Sequence, residues 1–81
     1  AMAIYNIIVK CFKIHPDRPM SVFFETHSKL KSSLLLYDIY TLTREHIKDL
    51  LSSSKSGYIF EVKVECNDDY ILGKTKIPSS L

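Results

Sequence analysis

The chain has 81 residues, of which 46% are hydrophobic and 25% are charged, and these proportions are typical of a folded globular domain. A domain of this size buries roughly 60% of the surface of its unfolded chain, which leaves little room for a deep substrate cleft. Eleven Lys and Arg against nine Asp and Glu give a net charge of +2. That charge by itself indicates neither a nucleic acid nor a membrane as ligand.

We interpret residues 1–81 as one domain, in which Ala1 and Met2 are a tag remnant followed by a start methionine and residues 78–81 are a short tail. The tail ends in Ser79 to Leu81, which fits the C-terminal pattern that PDZ domains capture, although a frayed end is the simpler interpretation. The chain shows neither a leader peptide nor the ~20 apolar residues needed to span a bilayer, so we expect a cytoplasmic protein without membrane contact.

The first periodic segment, Ile4 to Ile14, is apolar on both of its alternating sets of positions and rich in β-branched residues. It predicts a central strand that is covered on both faces. The next residues, His15 to Pro19, contain two prolines, which remove backbone donors and predict a loop.

The segment Ser21 to Leu42 has two interpretations. In the favoured one, Val22 to Thr26 and Ser33 to Thr41 are the strands of a hairpin closed by Ser28 to Ser32. The pattern of apolar residues is compatible with this pairing because alternate positions of the first strand share one face.

In the second interpretation, Ser21 caps a helix that runs to Ser33, and a strand follows from Leu34 to Leu42. His27 and Lys31 interrupt the apolar stripe of such a helix, which favours the hairpin. A helix here would give a split βαβ arrangement of the ferredoxin-like type.

The clearest helix signal extends from Thr43 to Lys55. Thr43 is a good N-cap residue, and Leu42 and Ile47 occupy the two positions of a hydrophobic staple. Gly57 is placed to adopt the left-handed conformation that ends many helices.

The last third of the chain predicts an antiparallel hairpin with one buried face. Tyr58 to Cys66 alternates apolar with mostly charged residues, Asn67 to Asp69 favours a turn, and alternation resumes from Tyr70 to Ile77. Gly73 inside the second strand marks a bulge or a close backbone approach.

These elements predict an α+β fold. It consists of a small antiparallel sheet of four or five strands with one principal helix, Thr43 to Lys55, packed on one face, and the ferredoxin-like split βαβ arrangement is the alternative.

No set of residues predicts catalysis or a cofactor. Both cysteines fall on apolar strand faces, where we expect reduced and inert thiols. The possible metal ligands form no paired motif. They are Cys11, His15, Asp17, His27, His46 and Cys66. We therefore predict no catalytic residues, no metal, no cofactor and no enzymatic activity.

A surplus of apolar and aromatic residues favours a protein–protein interaction module that occupies a partner's surface, such as a small phage or accessory inhibitor. The predicted partner-binding residues are Arg18, Phe23, Tyr37 and Tyr40. The two apolar faces of the first strand also predict a homodimer.

The alternative function is binding of single-stranded RNA or DNA by a basic face of the sheet. Its predicted residues are Lys63, Tyr70, Lys74 and Lys76. Cross-strand pairing of these lysines with neighbouring glutamates explains the same pattern without a ligand and is favoured.

Overall fold

The computed structural model describes residues 1–51 and 56–78. Its elements are β1 (Ala3–Lys13), β2 (Ser21–Ser32), α1 (Leu36–Leu51), β3 (Tyr58–Cys66) and β4 (Asp69–Lys76). The four strands form one antiparallel sheet in the order β2-β1-β3-β4, and α1 packs mainly against β3 and β4. The prediction of a small α+β fold with an antiparallel sheet and one helix is confirmed.

The core lies between α1 and the two inner strands, β1 and β3. Val62 and Val64 are completely buried, and Cys11 of β1 is 1% exposed. The central position predicted for β1 is confirmed, because it lies between β2 and β3. No element that the structure describes covers its second face, where Ile4 is exposed, so the predicted coverage on both faces is not found.

β2 confirms the predicted strand from Val22 to Thr26 and corrects the rest of both interpretations of residues 21–42. It is a continuous strand of 12 residues, so the predicted turn at Ser28 to Ser32 and the predicted helix from Ser21 to Ser33 are wrong. The ferredoxin-like alternative, which required that helix, is wrong with it. Every residue of β2 except Ser32 is exposed. A strand that buries neither face leaves no regular apolar period in its sequence.

The helix begins seven residues earlier than predicted, at Leu36 instead of Thr43, and it replaces the predicted strands from Ser33 to Thr41 and from Leu34 to Leu42. The side chain of Thr43 is not a cap: its Oγ1 donates a 2.7 Å hydrogen bond to the carbonyl oxygen one turn earlier. The predicted end at Lys55 lies outside the described residues.

The β3–β4 hairpin is confirmed. Asn67, the first of its two turn residues, has a φ of 54°, which tight hairpin turns require at that position. Gly57, just before β3, has the predicted positive φ, at 93°, but residues 52–55, on which its predicted role in ending the helix depends, lie outside the described residues. Residues 79–81, which include the predicted PDZ-like ending, are outside the described residues.

Candidate interaction surface

A β-bulge near the start of β2 changes the direction of one aromatic side chain. Cys11 of β1 lies opposite Phe24, whereas the next residue, Phe12, lies opposite Val22. Phe23 is therefore an extra residue without a partner on β1. Bulges bend a strand and reorient its side chains. The ring of Phe23 lies 5.5 Å from that of Tyr58, on the same side of the sheet as α1.

Four rings meet at this end of the sheet, and we call them the aromatic cluster: Phe23, Phe24, Tyr58 and Phe60. The ring of Phe24 lies 5.8 Å from Phe23 and 5.9 Å from Phe60, in edge-to-face geometry. Phe60 is in the buried core, but Phe23 is 62% and Phe24 is 41% exposed. The cluster therefore joins the core to a solvent-exposed aromatic surface.

Apolar surface continues from the cluster along β1 and β2. Because α1 packs mainly on β3 and β4, the other half of the helix side of the sheet is only partly covered. Ile7 and Val9 of β1 are partly buried there, and Leu30 of β2 is 41% exposed. We call this region, formed by Ile7, Val9, Phe24 and Leu30, the uncovered half-face.

The structure separates the four residues predicted to bind a partner. Arg18 is exposed in the loop that joins β1 to β2, at the same end of the sheet as Phe23. Tyr37 is also exposed, but it lies at the start of α1, which follows the far end of β2. Arg18 and Phe23 can thus belong to one surface, whereas Tyr37 lies towards the opposite end.

Tyr40 is not a surface residue. It is 8% exposed, and its hydroxyl lies against Gly73 of β4, where a Cβ atom would be 1.6 Å away. Arg44 Nη1 donates a 3.4 Å hydrogen bond to the same hydroxyl. Tyr40 therefore stabilises the packing of α1 on β4, and its predicted exposure is corrected.

The residues of the nucleic-acid alternative do lie together, on the open face of the sheet that is opposite α1. Lys63 lies on β3, and Tyr70, Lys74 and Lys76 lie on the same face of its neighbour β4. The ammonium group of Lys63 is 5.1 Å from the centre of the Tyr70 ring, within the range of a cation–π interaction.

Carboxylates on the open face neutralise these lysines in part. Lys63 forms a 3.4 Å ion pair with Glu65, and Lys74 forms a 3.8 Å ion pair with Glu61, which lies directly opposite it. The predicted pairing of lysines with glutamates across the hairpin is therefore present for Lys74. A face of alternating charges attracts phosphate less strongly than a uniformly basic one.

The β1–β2 side of the open face has a similar charge network. Glu25 accepts from His27 at 2.9 Å and from Lys10 at 3.1 Å. The hydrogen bond from His27, followed by that from Lys10, lowers the pKa of the Glu25 carboxyl below its ordinary value. Glu25 is thus a carboxylate at neutral pH.

The described residues include both cysteines and all three histidines. Burial raises the pKa of the Cys11 thiol, which makes it a poor nucleophile, and Cys66 is also a free cysteine. Within residues 1–51 and 56–78, no three side chains of His, Cys, Asp or Glu are grouped as metal ligands. In the same part of the chain, no helix is long and apolar enough to cross a membrane.

Comparisons with protein-family models, with curated proteins and with solved structures found no match to this chain.

Sequence reasoning missed Phe24 and Tyr58 as members of the exposed cluster. The sequence pattern argued against this cluster, because two consecutive aromatic residues in a regular strand point to opposite faces. The bulge at Phe23 removes that alternation, and no residue in the sequence marks its position.

Proposed function

We propose that this protein is a non-enzymatic interaction module that binds a protein partner through the aromatic cluster and the uncovered half-face. The observation that supports this function is the exposure of Phe23 and Phe24, at 62% and 41%, while their rings are held against Tyr58 and Phe60. Rigid, exposed aromatic side chains lose little conformational entropy on binding and supply much of the energy at interface hot spots.

The shape of the molecule also supports a binding surface. Its Cα extents are 48 × 23 × 15 Å, and its radius of gyration is 13.9 Å, whereas a compact domain of this length has about 12 Å. The chain exposes 5712 Å², compared with about 5,000 Å² for an average monomer of its mass. A thin sheet with one helix leaves apolar side chains that a partner can bury.

The charges around the cluster indicate the chemistry of the partner. The ammonium group of Lys13 lies 4.5 Å from the centre of the Tyr58 ring, and Arg18 is exposed in the adjacent loop. Lys13 and the loop of Arg18 lie at the same end of the sheet as the apolar cluster, and a charged border beside an apolar centre is the usual arrangement of a protein interface. We infer a partner surface with aliphatic or aromatic side chains bordered by carboxylates.

The test is affinity capture from the source organism's lysate, after nuclease treatment, by three forms of the protein. They are the parent, a cluster variant with Phe23→Ala and Phe24→Ala, and a control with Tyr70→Ala and Leu72→Ala on the open face. We expect the parent and the control to retain the same protein. The cluster variant should lose it, because removal of hot-spot anchors costs about 2 kcal/mol or more, roughly 30-fold in affinity.

Circular dichroism spectra must first show that all three forms are folded. Equal retention by the parent and the cluster variant would contradict the proposal. The second candidate is a single-stranded nucleic-acid platform. It would be favoured if nuclease treatment abolishes capture of the protein, and if capture is also lost when Lys63, Lys74 and Lys76 are all changed to Glu. The shared position of these lysines with Tyr70 on the open face is the observation that keeps this candidate.

A further inference from the structure

The outer edge of β2 is a long strand edge to which no described strand is paired. β2 has 12 residues and is the first strand in the sheet order. Among the described strands, β1 is its one neighbour. An exposed edge presents a row of backbone donors and acceptors on which another strand can pair.

The hydrogen bonds of β1 establish which backbone groups form this edge. Ile14 donates its N–H to the carbonyl oxygen of Gly57 at 2.9 Å, one step beyond the pairing of Lys13 with Tyr58. In an antiparallel ladder, alternate residues turn their backbone groups to opposite neighbours. The even-numbered residues of β1 therefore bond to β3, and the odd-numbered residues bond to β2.

The same alternation applies to β2. The residues opposite the odd-numbered positions from Ala3 to Cys11 of β1 turn their backbone groups to β1, and they are Phe24, Thr26, Ser28, Leu30 and Ser32. The residues between them turn their N–H and C=O groups to the free edge, and they are Glu25, His27, Lys29 and Lys31. The helix side of the sheet carries the first set of side chains, and the open face carries the second.

We propose that a second copy of this chain pairs with the β2 edge, antiparallel, about a two-fold axis through His27. Two four-stranded sheets then become one continuous sheet of eight strands. The inference uses the backbone edge and does not rest on the proposed function of the aromatic cluster.

The sequence of β2 is self-complementary in this register. Glu25 of each copy lies opposite Lys29 of the other, and both residues turn their backbone groups outward, so they form hydrogen-bonded pairs with opposite charges. On the helix side, Phe24 lies opposite Leu30 of the second copy. Charge therefore pairs with charge on the open face, and apolar side chains pair on the other.

Neighbouring registers keep less of this match. A two-fold axis at Ser28 pairs Glu25 with Lys31, but it places His27 opposite Lys29, and the apolar Phe24 opposite Ser32. An axis at Thr26 places Glu25 opposite His27, and leaves Lys29 opposite Phe23. An axis between two residues would pair helix-side with open-face positions, which the alternation of a strand forbids.

The proposed pairing also accounts for the uncovered half-face. A two-fold axis perpendicular to the sheet keeps both helices on the same side, with the half-faces of the two copies adjacent between them. Phe24 of each copy, 41% exposed in the single chain, then lies opposite Leu30 of the other copy, which is also 41% exposed in the single chain.

The first test is amide hydrogen exchange measured by NMR over a series of protein concentrations, with light scattering on the same samples. The N–H groups of Phe24, Thr26 and Ser28 bond to β1 and should be protected at every concentration. Those of Glu25, His27 and Lys29 should become protected as the mass rises above 9.3 kDa towards twice that value. A mass of 9.3 kDa at millimolar concentration, with these three amides unprotected, would overturn the proposal.

The second test exchanges charges across the proposed axis. Glu25→Lys and Lys29→Glu should each weaken self-association about tenfold or more, because two opposite-charge pairs become like-charge pairs. An equimolar mixture of the two variants should restore association as a heterodimer, in which every pair is again of opposite sign. Loss of the ion pair between Glu25 and Lys10 within one chain is not restored by mixing, so the mixture isolates the contact between copies.

The matched control is Asp68→Lys, which makes the same change of charge in the turn between β3 and β4, away from the β2 edge. It should associate as the parent does. An Asp68→Lys effect equal to that of Glu25→Lys, or failure of the mixture to associate more tightly than either variant alone, would show that the register is wrong.

Discussion

At the scale of single residues, the contact between Gly73 and Tyr40 determines how α1 sits on β4. A Cβ atom at position 73 would lie 1.6 Å from Tyr40 Oη and 2.8 Å from Cζ. The sequence predicted a bulge or a close backbone approach at Gly73, and the close approach is confirmed. Its partner could not be predicted, because Tyr40 was assigned to a strand instead of the buried side of a helix.

Gly73→Ala should therefore destabilise the fold. The added methyl group must displace the Tyr40 ring, and overpacking of this kind costs about 1–3 kcal/mol, a fall of roughly 4–8 °C in Tm per kcal/mol. Thermal melts would measure it. Adding Tyr40→Phe should recover part of the loss, since it removes the hydroxyl, while Leu72→Ala on the exposed neighbour should change Tm little. A Tm of the Gly73→Ala variant equal to that of the parent would contradict the close approach.

At the scale of elements, strands with a buried face were predictable and the others were not. β3 buries Phe60, Val62 and Val64 at every second position, and that period is visible in the sequence. β2 buries neither face, so no buried alternation marked Ser28 to Ser32 as part of a strand. Their polar composition therefore predicted a turn. An edge strand exposed on both faces is determined by its pairing to β1, which no local pattern records.

The start of α1 was missed for a different reason. The buried side of the helix consists of positions three or four residues apart, and it continues through Thr43. These positions are Leu36, Ile39, Tyr40, Thr43, Ile47 and Leu51. Thr43 has the identity of a cap and a hydrophobic residue on each side of it in the staple positions, so local capping rules gave the wrong boundary.

Thr43→Ala distinguishes the two boundaries. Loss of an N-cap would cost about 1 kcal/mol, whereas inside a helix the better propensity of Ala offsets the lost bond to Ile39. We expect the free energy of unfolding in urea to change by no more than about 0.5 kcal/mol. Ile47→Ala, which empties a buried position of the same helix, is the positive control and should cost about 2–5 kcal/mol. A Thr43→Ala loss of 1 kcal/mol or more would support the later helix start.

At the scale of the whole molecule, stability depends on one side of the sheet. Val62 faces the helix side and is 0% exposed to solvent, whereas Lys63 beside it lies on the open face in an ion pair with Glu65. The exposed side chains of Phe23 and Phe24 and the β2 edge lie outside the buried core, so they are free to serve contacts with other molecules.

Val62→Asp should therefore unfold the domain at 25 °C, because an unpaired buried charge exceeds a total stability of roughly 4–12 kcal/mol. Lys63→Ala should change the free energy of unfolding by less than about 1 kcal/mol, since it removes one surface ion pair. Circular dichroism during thermal unfolding gives both values. Similar losses for the two variants would mean that the buried side of β3 is assigned wrongly.

The position of β1 between β2 and β3 has a consequence for biosynthesis. β2 is translated soon after β1, but β3, the other neighbour of β1, begins at Tyr58 and is translated only after β2 and α1. The buried residues that β1 contributes, Tyr5 and Cys11, share their core with α1 and β3. An isolated two-stranded hairpin is marginally stable at best in water. The nascent chain therefore carries an incomplete fold until β3 has been translated, and the native state forms in a cooperative step when β3 leaves the ribosome.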